Sequence, residues 1–195
     1  MFTQKCFIKN NNMDKKHKPY VICIVGDSGS GKTTFSRILD SLGVKAICSY
    51  TTRKIREGEV NNIDHIYITQ DEFNEIKLNA GDPMTAYTDY GGYEYCTVLS
   101  QFQELDGCCY VVDEAGVNYM LDNFYNDLTV IPVLISCGDK AKERGVTPER
   151  ILRDSKRDRT MNANYEFIVY NTSTIEHLEQ AAKDLINEIN TSMFK

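Results

Sequence analysis

The sequence predicts an α/β fold, a doubly wound parallel sheet flanked by helices, and three observations lead there. Continuous apolar, β-branched runs recur at residues 20–25, 108–113, 129–136 and 165–170, the pattern of strands buried on both faces. A glycine-rich turn joins the first run to a helical pattern, and strand and helix patterns alternate after it. In such a sheet a ligand binds at the carboxyl ends of the strands.

Residues 1–18 are polar, rich in Asn and Lys, and predict a loose extension before one domain over 19–195. The run 20–25, YVICIV, ends at Gly26. Phe35, Ile38, Leu39 and Leu42 then recur at helical spacing over 32–42, with Gly43 as the stop. Residues 49–98 leave this rhythm. They hold a strand-like IYIT, a small helix capped by Thr69 and Glu72 that ends near Gly81, and a Tyr- and Gly-rich TAYTDYGGYEYCT. The run 108–113, CCYVVD, returns to a buried strand, as does 129–136, TVIPVLIS, where Pro132 predicts an edge or a bulge because proline lacks a ladder donor. Residues 138–159 carry eight Lys and Arg against five Asp and Glu, a net of +3, on a helix opened by Thr147 and Pro148. After 165–170, the last helix is expected to open with Ser173 and Glu176 at capping-box spacing. It then carries Ile175, Leu178, Ala182, Leu185 and Ile189 on one face. The core is thus 19–48, 107–137 and 160–195, and 49–98 and 138–159 are insertions that close over a site.

Length and composition bound the function. At 195 residues, 42% apolar and 26% charged, the chain suits one globular domain and excludes collagen-like or wholly disordered classes. Twenty-two Lys and Arg against 28 Asp and Glu argue against a nucleic-acid binder held by counterion release. No apolar run approaches the roughly 20 residues of a membrane span, and the N-terminus lacks a signal-peptide block, so no membrane partner and a cytoplasmic location are expected. Seven cysteines without a C-x-x-C pair read as reduced and structural.

The chemistry is carried first by GDSGSGKT, residues 26–33, which matches G-x4-G-K-S/T between a buried strand and a helix. Glycines let consecutive backbone amides converge on phosphate oxygens, and the helix N-terminus adds a favourable dipole. Gly26, Ser28, Gly29, Ser30, Gly31, Lys32, Thr33 and Thr34 are therefore the candidate phosphate cradle, with Lys32 as its cation and Thr33 offering a hydroxyl to Mg²⁺. A lysine at a helix start opposes the dipole unless an anion is present. Asp113 ends an apolar strand, where it can position Mg²⁺ or cap the next helix, and Glu114 competes with it for the metal. Arg53 and Arg56, beside hydroxyls at 49–52, suit a second phosphate or a solvated surface.

At SYTTRKIREGEVNNIDH the chain resembles the guanylate kinases, whose motif runs STTR-x-x-R-x-GEV-x-G-x-DY, and GYEYCT, residues 92–97, is similar to their G-x-x-YG-S/T. With the phosphate loop, Asp113, the basic helix and YEFIVYNT at 165–172, the resemblance spans about residues 20–190. It implies a P-loop kinase of core, nucleotide-binding insertion (49–98) and basic lid (138–159), which uses ATP and Mg²⁺ to phosphorylate a small nucleotide as a monomer or homodimer. Carried over, Arg53, Arg56 and Tyr95 hold the acceptor phosphate, Glu59 supports the arginines, and Ser49 and Thr97 face the base. Asn171 joins the ATP side, and Arg150 and Arg153 are the lid arginines, on one helix face with Arg157.

The departures fall on the base-reading half. His65 stands where the family has Tyr, Cys96 where it has Gly, the acid that reads guanine falls near Ala86, and the Asp of the family's D-x-D element falls at Ala115. A guanine buried without acceptors for N1–H and its amino group loses about 1–3 kcal/mol per group. Asp89, Glu94 and Glu114 are candidate substitutes. Three readings follow: phosphorylation of GMP or dGMP; the same scaffold acting on another nucleoside monophosphate or a ribose bisphosphate; and a catalytically inactive module that binds phosphopeptides. The complete glycine loop with Lys32 and Thr33 speaks against the last.

Overall fold

The computed structural model describes residues 18–141, 143–156, 159–161 and 164–193. The expected extension before Lys18 and the lid residue Arg157 lie outside them. Among the described residues the elements run β1 (Tyr20–Gly26), α1 (Lys32–Ser41), β2 (Lys45–Ile47), β3 (Tyr50–Thr51), β4 (Ile66–Tyr67), α2 (Gln70–Leu78), β5 (Met84–Tyr90) and β6 (Tyr93–Val98). There follow α3 (Ser100–Gln103), β7 (Gly107–Val111), α4 (Glu114–Asn123), β8 (Thr129–Ser136), α5 (Pro148–Ser155), β9 (Phe167–Tyr170) and α6 (Ile175–Met193).

The core is a parallel sheet in the order β2-β7-β1-β8-β9. Its middle strand alternates strictly. Ile22 and Ile24 join Phe35, Leu39, Leu178 and Leu185 on the face covered by α1 and α6. Val21, Cys23 and Val25 join Phe102, Val117 and Met120 on the other. Both faces of β1 are therefore dry, which is why its sequence is apolar throughout.

Pro132 corrects an expectation, for β8 is an unbroken interior strand. Pro132 pairs with Cys23 of β1. Its carbonyl accepts from Glu166, one residue before β9 begins, so its donorless nitrogen faces the same side, beyond the end of the β9 ladder. At α6, Thr174 rather than Ser173 precedes the first turn, and the Ser173 hydroxyl lies 2.6 Å from His177 Nδ1 instead. Leu178, Ala182, Leu185 and Ile189 are buried as expected, but Ile175 is exposed.

Between β2 and β7 the chain builds a second sheet, β4-β3-β6-β5. Strands β5 and β6 form a hairpin closed by Gly91 and Gly92, both at positive φ (65° and 77°), a conformation glycine adopts without cost. Thr69 and Glu72 make the expected capping box on α2, whose Phe73 is buried. The described cysteines are free, and all but Cys48 are buried. Burial pushes the Cys109 thiol up to about 11 and that of Cys96 up to about 12. No described helix is long and apolar enough to cross a membrane.

Candidate active site

The glycine loop leaves the middle strand of the sheet and enters α1 through Gly31, whose φ of 98° is left-handed. A Cβ there would stand 2.2 Å from the Asn171 amide nitrogen, so only glycine fits. Asn171 follows β9 and donates from Nδ2 to the Ser30 carbonyl at 2.8 Å. Lys32 Nζ folds back over the loop and donates to the carbonyls of Gly26 and Asp27, each at 2.9 Å.

A cavity of about 470 Å³ opens on this loop. Ser28, Gly29, Gly31, Lys32, Thr33, Thr34 and Asn171 line it, as expected of a triphosphate cradle; Gly26 and Ser30 do not. Arg144, to which the sequence reading gave no individual role, lines it too. It donates to the carbonyls of Gly29 (3.1 Å), Ser30 (3.3 Å) and Asn171 (2.7 Å), tying the segment before α5 to the loop.

A second cavity, about 460 Å³, lies between the core and the second sheet. Ser49, Arg53, Arg56, Glu59 and Tyr95 line it. Arg53 is buried and grips Glu59 through two bonds of 2.9 Å, and Glu59 also accepts from the Arg56 amide (2.8 Å) and the Tyr67 hydroxyl (2.7 Å). Burial alone would raise the Glu59 carboxyl, but the bonds from Arg53, Arg56 and Tyr67 outweigh it and hold the group near 2. One carboxylate thus braces the Arg53 guanidinium and the Arg56 backbone at the cavity wall, with the Arg56 guanidinium 4.0 Å from it.

His65 lines the same wall. Its Nδ1 is 2.8 Å from Ser49 Oγ, and its ring meets Tyr67 and Tyr95 edge-on at 5.8 and 5.7 Å. Burial first, then the Arg53 charge, lowers its pKa to about 4, so the imidazole is neutral at pH 7. Thr97 departs from expectation: it is fully buried, its hydroxyl lies 2.9 Å from that of Thr85, and it lines neither cavity.

Asp113 caps α4, with Oδ1 accepting from the Gly116 amide (2.8 Å) and from Thr88 (3.0 Å), while lining the second cavity together with Thr33. Both functions anticipated for it are therefore compatible with its position. Glu114 is 1% exposed, accepts from Tyr165 and lines neither cavity, whereas its competitor Asp113 lines the second. Ala86 is buried in the core against α4. The suggested substitutes for base-reading acids, Asp89, Glu94 and Glu114, are absent from the cavity walls; Glu94 is occupied by Lys77, Gln70 and Tyr87.

Arg150 lines both cavities and Arg153 the second, where its guanidinium sits 4.8 Å from the centre of the Tyr90 ring. The two cavities meet at Ser28, Lys32, Thr33 and Arg150, so groups held in each would face one another across two cations.

No family model matches the chain. It is similar to a guanylate kinase of Mycoplasmopsis pulmonis, 39% identical over 88 residues, which spans 44% of this chain and 44% of that relative. It is also similar to a guanylate kinase of Neisseria gonorrhoeae, 27% identical across 94% of this chain and 93% of that one. In fold it matches a crystal structure of guanylate kinase from Anaplasma phagocytophilum with a TM-score of 0.61 at 18% identity, covering 91% of this chain and 89% of that one.

Proposed function

We infer that this chain, a member of the guanylate kinase family, is a nucleoside monophosphate kinase that transfers the terminal phosphoryl group of ATP to a nucleoside monophosphate, with GMP or dGMP the leading acceptors. One observation carries the reading: the amide-lined cradle and the arginine-lined cavity share Ser28, Lys32, Thr33 and Arg150. A triphosphate in the first would end where an acceptor phosphate held by Arg53, Arg56 and Tyr95 begins.

The acceptor phosphate oxygen then attacks the terminal phosphorus in line, the bond to the bridging oxygen breaks, and ADP leaves. Positioning and charge balance do most of the work in such a transfer. Lys32 and Arg150 would offset the charge that develops at the junction, while Arg153 would act from the acceptor side. The lid and the second sheet would close over the junction and exclude water. Thr33 and Asp113 suit Mg²⁺, which takes few protein ligands and keeps its waters and phosphates; when bound, it would neutralise charge on the transferring group.

An acceptor other than guanine is favoured by one observation. Ala86, where the family resemblance calls for an acid, is a core residue, and none of the substitute acids Asp89, Glu94 and Glu114 lines the acceptor cavity. A coupled assay with ATP, Mg²⁺ and a panel of nucleoside monophosphates and a ribose bisphosphate decides between acceptors. Turnover with at least one monophosphate is expected. Folded protein that turns over none of them would leave the binding module as the surviving reading.

A further inference from the structure

Helix α5 brings an anion of its own into the glycine loop. Asp154 is 5% exposed, and its Oδ2 accepts from the backbone amide of Ser28 at 2.6 Å. The neighbouring contacts are complementary. Arg144 donates to the carbonyls of Gly29 and Ser30, Arg159 pairs with Asp27 at 2.6 Å, and Arg153 Nη2 lies 3.3 Å from Ser28 Oγ and 3.4 Å from Asp154 Oδ1. Bases of the lid meet carbonyls and a carboxylate of the loop, and its one acid in these contacts meets an amide.

Backbone amides in such a loop attract anions, and a carboxylate oxygen accepts the same N–H that a phosphate oxygen would. Ser28 also lines both cavities, at the junction the transferring group must cross. A carboxylate that stayed there would repel the terminal phosphate.

We propose that Asp154 is an internal competitor for the terminal phosphate of ATP: it holds the Ser28 amide in the free protein and leaves it when the triphosphate enters. The inference rests on the kinase reading given above. Nucleotide entry and release of this α5 contact are then one event, and the apparent affinity for ATP is lowered by the fraction of molecules in which the contact is made.

Calorimetry with ATP, ADP and adenosine in the presence of Mg²⁺ tests this on the wild-type chain and on Asp154→Asn, which keeps the shape and removes the charge. Asp154→Ala, which removes the acceptor altogether, is the second variant. Both variants are expected to bind ATP about tenfold more tightly, a gain of about 1.4 kcal/mol. The gain should shrink for ADP and vanish for adenosine. A merely structural aspartate would instead weaken all three ligands together, and that result overturns the proposal. Equal ATP affinity in wild type and variants also overturns it, and leaves the kinase reading standing. If none of the three proteins binds ATP, both fail.

Discussion

Lys32 rests on two carbonyls of its own loop, a cation held at a helix start where only an anion justifies it. Lys32→Ala is expected to lower turnover by roughly 10²–10³-fold while the circular dichroism spectrum stays native. In the proposed acceptor site Glu59 would act one step away, through Arg53 and Arg56. Glu59→Gln should raise the acceptor KM by about tenfold with a smaller change in kcat, read from initial rates at saturating ATP. Lys32 was legible because the spacing of the glycine loop encodes its place, and Glu59 through the family resemblance of residues 49–65. Asp154 and Arg144 were not. Their partners lie 126 and 115 residues away, and in sequence they are two more charges in a solvated-looking run.

Local chemistry marked most element boundaries. The Thr69 and Glu72 capping box forms as its spacing predicts, and Thr69→Ala should cost about 1 kcal/mol in denaturant unfolding, loosening the helix that buries Phe73. The β5–β6 hairpin was a missed signal: two glycines between alternating runs are the composition of a tight two-residue turn, hidden by the density of tyrosines around them. Pro132 misled for a different reason. A proline in a strand forbids one donor on one side, and sequence cannot show that the neighbouring strand starts one residue too late to need it. Ser173 likewise has the right spacing for a cap, yet it lies two residues before the helix start, one short of the cap position that Thr174 holds.

Across the whole molecule, acid should act in two stages. His65 has its pKa depressed to about 4 from the usual 6.5, so its contribution to stability is complete above pH 6.5 and is lost as pH falls toward 4. Glu59, depressed to about 2 from 4.5, contributes fully above pH 4.5 and loses that contribution as pH falls toward 2. Thermal midpoints measured from pH 8 to pH 3 should therefore begin to fall near 6.5, and His65→Gln should flatten the first stage, worth on the order of 2 kcal/mol. The parallel core was readable from its apolar runs, whereas the second sheet was not, since its strands β3 and β4 are two residues each and carry no periodicity. That sheet departs from β2 and comes back to β7, and these strands are direct neighbours, Lys45 beside Cys108 and Ile47 beside Tyr110. Because the two strands run parallel, the excursion leaves at the carboxyl end of β2 and returns at the amino end of β7, spanning that side of the sheet. The proposed acceptor side is therefore carried by one contiguous stretch of chain that is sewn into the core rather than hung from it: Ala86 and Phe102 pack beneath the sheet, Thr88 holds Asp113, and Asp64 reaches Arg37 of α1, so changes made there are felt at the ATP cradle.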